Sequence, residues 1–199
     1  MIAIVDYGAG NLASVKKAFD FLGATSMVTS DPAMVRQAKR VVVPGVGHFA
    51  ATSVLADSGL REAALDVIAR GIPFLGICVG MQWLFESSTE SPQARGLGTF
   101  RGICERFPSE VKSPHVGWNQ LSLGQESRLL KGVANDSFVY FTHSYRAPLV
   151  PQTTAATEYG GRFSSVVEQG NVFGVQFHPE KSSEVGLRIL KNFCEMLAC

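Results

Sequence analysis

Apolar and polar positions in the first half of the chain fall into alternating blocks. IAIVDY (2–7) and ATSMVTS (24–30) are short runs of strand formers separated by NLASVKKAFDFLG (11–23), which reads as a helix. A short helix is expected after Asp31 and Pro32, then the strand RVVVPG (40–45), then a helix or a pair of helices across 49–70. PFLGI (73–77) is short and wholly apolar, as a buried strand is, and VGMQWLF (79–85) opens like a helix. Such alternation predicts a parallel sheet with covering helices. From about residue 99 to 176 the pattern changes to short strands and turns, among them SFVYFT (137–142) and RFSSVVEQ (162–169), followed by the β formers NVFGVQF (171–177). The closing stretch 182–197 has helical periodicity through Val185, Ile189, Leu190 and Phe193. No repeat, low-complexity linker or composition break divides the 199 residues, so one domain spanning 1–199 is expected.

The block boundaries carry the chemistry. Cys78 stands at the junction of PFLGI and VGMQWLF, at a sharp strand-to-helix turn. Unpaired N–H groups at a helix N-terminus favour the thiolate, the nucleophilic form, and flanking Gly76 and Gly80 let a turn close. A hundred residues later NVFGVQF runs into His178, Pro179 and Glu180. Residues two apart share a strand face, and extended geometry before proline would hold Glu180 beside the His178 imidazole, fixing its tautomer. Cys78, His178 and Glu180 thus read as nucleophile, base and orienting carboxylate. The bland alternatives are a buried structural thiol and a surface turn. VPGVGHF (43–49) adds a loop with little side chain after the third strand, at the same end of the sheet as Cys78. An oxyanion would need two backbone donors there: the N–H of Val79 and one from Val46 or Gly47.

Composition narrows the classes. A net charge of +1 leaves no electrostatic footprint for nucleic acid or an anionic membrane. No stretch approaches the roughly 20 apolar residues of a membrane span, and the N-terminus lacks a signal pattern, so a cytoplasmic location is expected. Cys78, Cys104, Cys194 and Cys199 have no CxxC or zinc-type spacing with the four histidines, so neither a metal nor a disulfide framework is expected. One competing pattern exists: Gly8, Gly10 and Ala13 satisfy GxGxxA, and Asp31 follows at dinucleotide-site spacing. The simpler reading is a tight turn with Asn11 capping the next helix.

GICVGMQ (76–82), PGVG (44–47) and FHPEK (177–181) together resemble the class I glutamine amidotransferases. DYGAGNLASV (6–15), VPGVGHF, PHVGWN (114–119), YFTHSYR (140–146) and FHPEKSS (177–183) resemble one branch, the glutaminase subunits of imidazole glycerol phosphate synthase in histidine biosynthesis. The resemblance covers essentially the whole chain; Val79 stands where leucine is common, which keeps the backbone N–H. It implies an α/β fold with a mostly parallel central sheet flanked by helices and an added antiparallel section. It implies that Cys78 attacks the side-chain amide of L-glutamine, with Gly47, Gln82, Glu90, His143, Ser144 and Tyr145 holding the substrate and no cofactor. It implies a heterodimer with a (β/α)8 cyclase, faced by Asn11, Tyr140 and Lys181, that receives the ammonia. Read without it, Gln82 is a helix-surface residue, Glu90 a loop charge and His143 a partly buried histidine; His48 and His115 carry no role. The rival readings are a glutaminase serving another synthase, a cysteine hydrolase acting on peptides, and a non-catalytic nucleotide-binding module.

Overall fold

The apolar blocks assemble into one eight-stranded sheet in the computed structural model, which describes residues 1–198. The first strands are β1 (Ile2–Val5), β2 (Ser26–Thr29), β3 (Arg40–Gly45) and β4 (Phe74–Cys78). β5 (Ser87–Ser88), β6 (Ile103–Arg106), β7 (His115–Gln120), β8 (Ser122–Leu123), β9 (Phe138–His143) and β10 (Tyr145–Arg146) follow. The last are β11 (Thr153–Glu158), β12 (Arg162–Gln169) and β13 (Val172–Val175). The helices are α1 (Leu12–Phe21), α2 (Pro32–Gln37), α3 (Ser53–Asp57), α4 (Leu60–Ala69), α5 (Val79–Trp83) and α6 (Ser183–Glu195).

The sheet order is β2-β1-β3-β4-β13-β12-β11-β8. Pairings from β2 to β13 are parallel and those from β13 to β8 antiparallel, so the expected mostly parallel sheet with an antiparallel section is present. β7 and β9 form a separate antiparallel ribbon, and β10, β6 and β5 a small third sheet. Alternating side chains of the parallel strands feed two cores. Ile2, Ile4, Leu75 and Ile77 pack with α1, α6 and the inner face of the ribbon. Ala3, Val5, Val41 and Val43 pack with α2, α4 and α5.

Two expected elements end early. α5 stops at Trp83 because its terminal carbonyls are taken by tertiary donors: Leu97 N–H bonds to Trp83, and Gly98 N–H bonds to Phe85 just beyond. β13 stops at Val175, and the His178 N–H crosses instead to the Tyr140 carbonyl of β9, 2.9 Å away. α5 lies so close over the sheet that a Cβ at Gly80 would sit 1.9 Å from the Val43 carbonyl oxygen, which makes glycine obligatory there.

Candidate active site

Cys78 ends β4 in register with Gly45 of β3 and forms the N-cap of α5. Its φ of 54° and ψ of −108° are a glycine-like conformation, and only 2 % of the residue is exposed. β13 is the neighbour of β4, so His178, three residues past its end, arrives beside the cysteine. Glu180 reaches His178 through a 3-10 turn over Pro179–Lys181, where the sequence suggested a shared strand face. Pro179 presets the turn, and Ser182 stitches it to the ribbon: its Oγ donates to the His178 carbonyl (2.7 Å) and accepts the Tyr140 N–H (2.9 Å).

Within that turn His178 Nδ1 lies 2.9 Å from Glu180 Oε1, both side chains almost wholly buried. Burial pulls the His178 pKa down, but the charge of Cys78, the contact with its sulfur, and the hydrogen bond and charge of Glu180 outweigh it and raise the pKa to about 10. At neutral pH His178 therefore faces the sulfur as an imidazolium, with Nδ1 held by Glu180 and Nε2 left for the sulfur.

A cavity of about 190 Å³ opens on the sulfur. Gly47, Gln82, Glu90, His143, Ser144 and Tyr145 all line it with Cys78 and Val79. That volume is below the range of pockets for drug-sized ligands and suits an amino acid. Gly47 contributes its backbone at φ 96°, whereas the Val46 side chain is exposed and does not line the cavity. Glu90 Oε2 accepts the Phe49 N–H at 2.7 Å, tying the VPGVGHF loop to the cavity wall. A larger, open hollow of about 730 Å³ beside Leu123, Arg128, Asn192 and Met196 has neither cysteine nor histidine among its described lining residues.

Behind the cavity lies a polar network that the sequence did not reveal. Gln82, 2 % exposed, donates from Nε2 to the Tyr145 carbonyl (2.8 Å) and to Gln176 Oε1 (3.2 Å). Gln176, fully buried, points its Nε2 at Cys78 Sγ, 3.7 Å away. Its only sequence signal is a polar residue inside an apolar run, on the same alternation as His178. His143 Nδ1 bonds to the Tyr145 carbonyl (2.8 Å), its Nε2 meets His115 Nδ1 (3.2 Å), and Asn119 Nδ2 lies 3.3 Å from His115 Nε2. Burial lowers the His115 pKa to about 4; it also lowers that of His143 to about 3, aided by neighbouring cationic groups against the Tyr145 hydrogen bond. Both rings are neutral at physiological pH.

The remaining candidates divide cleanly. Asn11 Oδ1 caps α1 through the Ser14 N–H, and Asp31 Oδ1 accepts the Ala33 N–H to cap α2, so the GxGxxA stretch serves as a turn. His48 Nδ1 accepts the Ala50 N–H of the next turn. Tyr140 and Lys181 are neighbours, with Nζ 5.9 Å from the ring, and Trp118 packs edge-on against Tyr140. Burial pushes up the thiols of Cys104 and Cys194, the latter to about 11 with Arg40 and Glu195 opposing each other; Cys199 lies outside the described residues.

The chain also has relatives among known proteins. Residues 3–197 match the family Glutamine amidotransferase class-I. The chain belongs to the class I glutamine amidotransferases. It is 47 % identical to the imidazole glycerol phosphate synthase subunit HisH of Moorella thermoacetica, over 98 % of this chain and 95 % of that one. It is likewise 47 % identical to the HisH subunit of Methanothermobacter thermautotrophicus, over 99 % of both. Among solved structures, a crystal structure of a glutamine amidotransferase superposes with a TM-score of 0.77 at 20 % identity, covering 98 % of each chain. The glutaminase domain of Trypanosoma brucei CTPS superposes at 0.68 and 16 % identity, covering 100 % of this chain and 96 % of that one. These two share the amidotransferase fold.

Proposed function

We propose that this amidotransferase is the glutaminase subunit of imidazole glycerol phosphate synthase, acting in cytoplasmic histidine biosynthesis. The observation that carries the chemistry is His178, held by Glu180 at 2.9 Å and set against the sulfur of Cys78, which lines an amino-acid-sized cavity. Full-length relatives named as subunits of that synthase support the pathway and imply a partner subunit.

In this reading the Cys78 thiolate adds to the side-chain carbonyl of glutamine. The oxyanion is met by the Val79 N–H and by one from Val46 or Gly47, each such donor stabilising the transition state by about 3 kcal/mol. His178 gives its Nε2 proton to the departing nitrogen, so that ammonia leaves and a glutamyl thioester remains. The now neutral imidazole takes a proton from water as the hydroxide adds to the thioester. Glutamate departs, and the thiolate and imidazolium are restored. Glu180 keeps the ring in the required tautomer throughout. Glu90 suits the α-ammonium of glutamine by charge, with Gly47, Gln82, His143, Ser144 and Tyr145 around the remainder.

The partner is a (β/α)8 cyclase that receives the ammonia unprotonated. The outer face of the β7–β9 ribbon supports its docking site: Val116, Trp118 and Phe138 are each about half exposed, beside Tyr140 and Lys181. The oxyanion hole is incomplete until that partner binds. The test measures glutamate release from free glutamine by the chain alone and with the cyclase plus an acceptor analogue, with Cys78→Ala as control. Cysteine-dependent release that rises steeply with the cyclase is expected. Full turnover without the cyclase would remove the incomplete-hole idea, and release that the cyclase leaves unchanged would favour a glutaminase serving another synthase.

A further inference from the structure

We infer that Gln176 is a positioning residue for the nucleophile, the last donor in a hydrogen-bond network of fixed orientation that links the β7–β9 ribbon to the Cys78 sulfur through the Tyr145 carbonyl. The Tyr145 carbonyl sets the direction, because it can only accept. His143 must present Nδ1–H to it, which leaves His143 Nε2 as acceptor for His115 Nδ1–H and His115 Nε2 as acceptor for Asn119. Gln82 must present its NH₂ group to the same carbonyl, and the Gln176 Oε1 takes that group's other hydrogen. A flipped Gln82 would set oxygen against the Tyr145 oxygen. A flipped Gln176 would set two amide nitrogens together and turn an oxygen toward the sulfur. Only one orientation of both amides satisfies every contact, and it ends with the Gln176 N–H aimed at Sγ.

Two effects follow from this orientation. The N–H favours a charged sulfur over a neutral thiol, since hydrogen bonding to the charged form stabilises it. The fixed Gln82 amide leaves its Oε1 for the cavity, as an acceptor for an N–H of the substrate. Among the described residues, the titratable groups facing Cys78 are His178 from beyond β13 and Tyr7 from beyond β1, whose buried hydroxyl has no partner there. Glu180 acts through His178, and the ribbon contributes the Thr142 carbonyl, 3.7 Å from the sulfur. Gln176 is the uncharged donor in this set.

The test is the pH dependence of Cys78 alkylation by iodoacetamide in the purified full chain, with Cys78→Ala subtracted to remove the other thiols. Gln176→Met conserves volume and removes both bonds; its alkylation midpoint is expected to rise by roughly half to one pH unit. Gln176→Glu places a like charge beside the sulfur and should raise it further, by about 1–2 units. Gln82→Leu leaves Gln176 in place but releases its orientation, and should give the smallest upward shift. Circular dichroism and Tm identify the folded variants, and any one of the three carries the comparison. Midpoints that coincide with the unsubstituted chain in folded variants overturn the inference. Only the consequence for turnover rests on the glutaminase reading: shifted midpoints without glutamate release would sink that reading and leave this one standing.

Discussion

The two faces of the β7–β9 ribbon are built from the same alternation and do opposite things. Register pairs His115 with His143, Trp118 with Tyr140 and Gln120 with Phe138, so successive residues pass from one face to the other. The inner face carries His115, Phe141 and His143, all buried, and the part-buried Asn119, with every polar side chain engaged. The outer face carries Val116, Trp118 and Phe138, apolar and half exposed. The inner face spends polar groups where water is excluded, and the outer face leaves apolar groups where water is present. Under the proposed function, the difference separates holding the chemistry from meeting a partner, while one strand serves both. Tyr140 lies on the outer face, yet its backbone carbonyl and N–H fasten the His178–Ser182 turn.

Substitutions on each face separate the two roles. The largest effect is expected inside: His178→Asn should lower glutamate release by about 10⁴-fold or more with the fold retained, read by steady-state assay and circular dichroism. Glu180→Gln keeps the shape and loses the anchor, so kcat should fall by roughly 10³-fold with KM changed little. On the outer face, Trp118→Ala should weaken cyclase binding by about 10- to 30-fold in calorimetry and leave Tm within a few degrees. An unchanged Kd there would place the docking surface elsewhere.

The smallest effect is a pH dependence of stability from the inner face. His115 and His143 have pKa values lowered to about 4 and about 3, below the ~6.5 of the unfolded chain. The unfolded state therefore binds the extra protons, and stability present above pH ~6.5 is lost as pH falls toward those values. By pH 5.5 the loss should be on the order of 1 kcal/mol per imidazole, measured by urea denaturation. The His178 contribution, with a pKa raised to about 10, is complete below pH ~6.5 and leaves this window undisturbed. His143→Gln should flatten the profile.

Much of this was legible in the residues. β3 and β12 occupy the stretches that their apolar and β-branched runs indicate, and Asn11 and Asp31 cap the helices they precede. The junction of apolar strand and glycine-flanked turn placed Cys78 at a strand end. What escaped depends on contacts distant in sequence. The pairing of β4 with β13 brings Gln176 to Cys78 across 98 residues, and nothing local distinguishes that glutamine from any polar residue in a strand. His115 gave no local sign of its role because its partner lies on the facing strand. The Glu180 contact was expected from a strand face and is made by a turn, because the His178 N–H leaves the sheet to bond with β9.

The backbone of Cys78 has a consequence of its own. At φ 54° and ψ −108° a side chain is tolerated at a cost of about 1–3 kcal/mol that the surrounding fold must offset. Glycine adopts that conformation freely, and alanine does not. Cys78→Gly should therefore melt at a higher temperature than Cys78→Ala, although both lack the thiol. A search of this chain for thermostability alone would drift toward glycine at a position that the proposed mechanism reserves for the attacking sulfur.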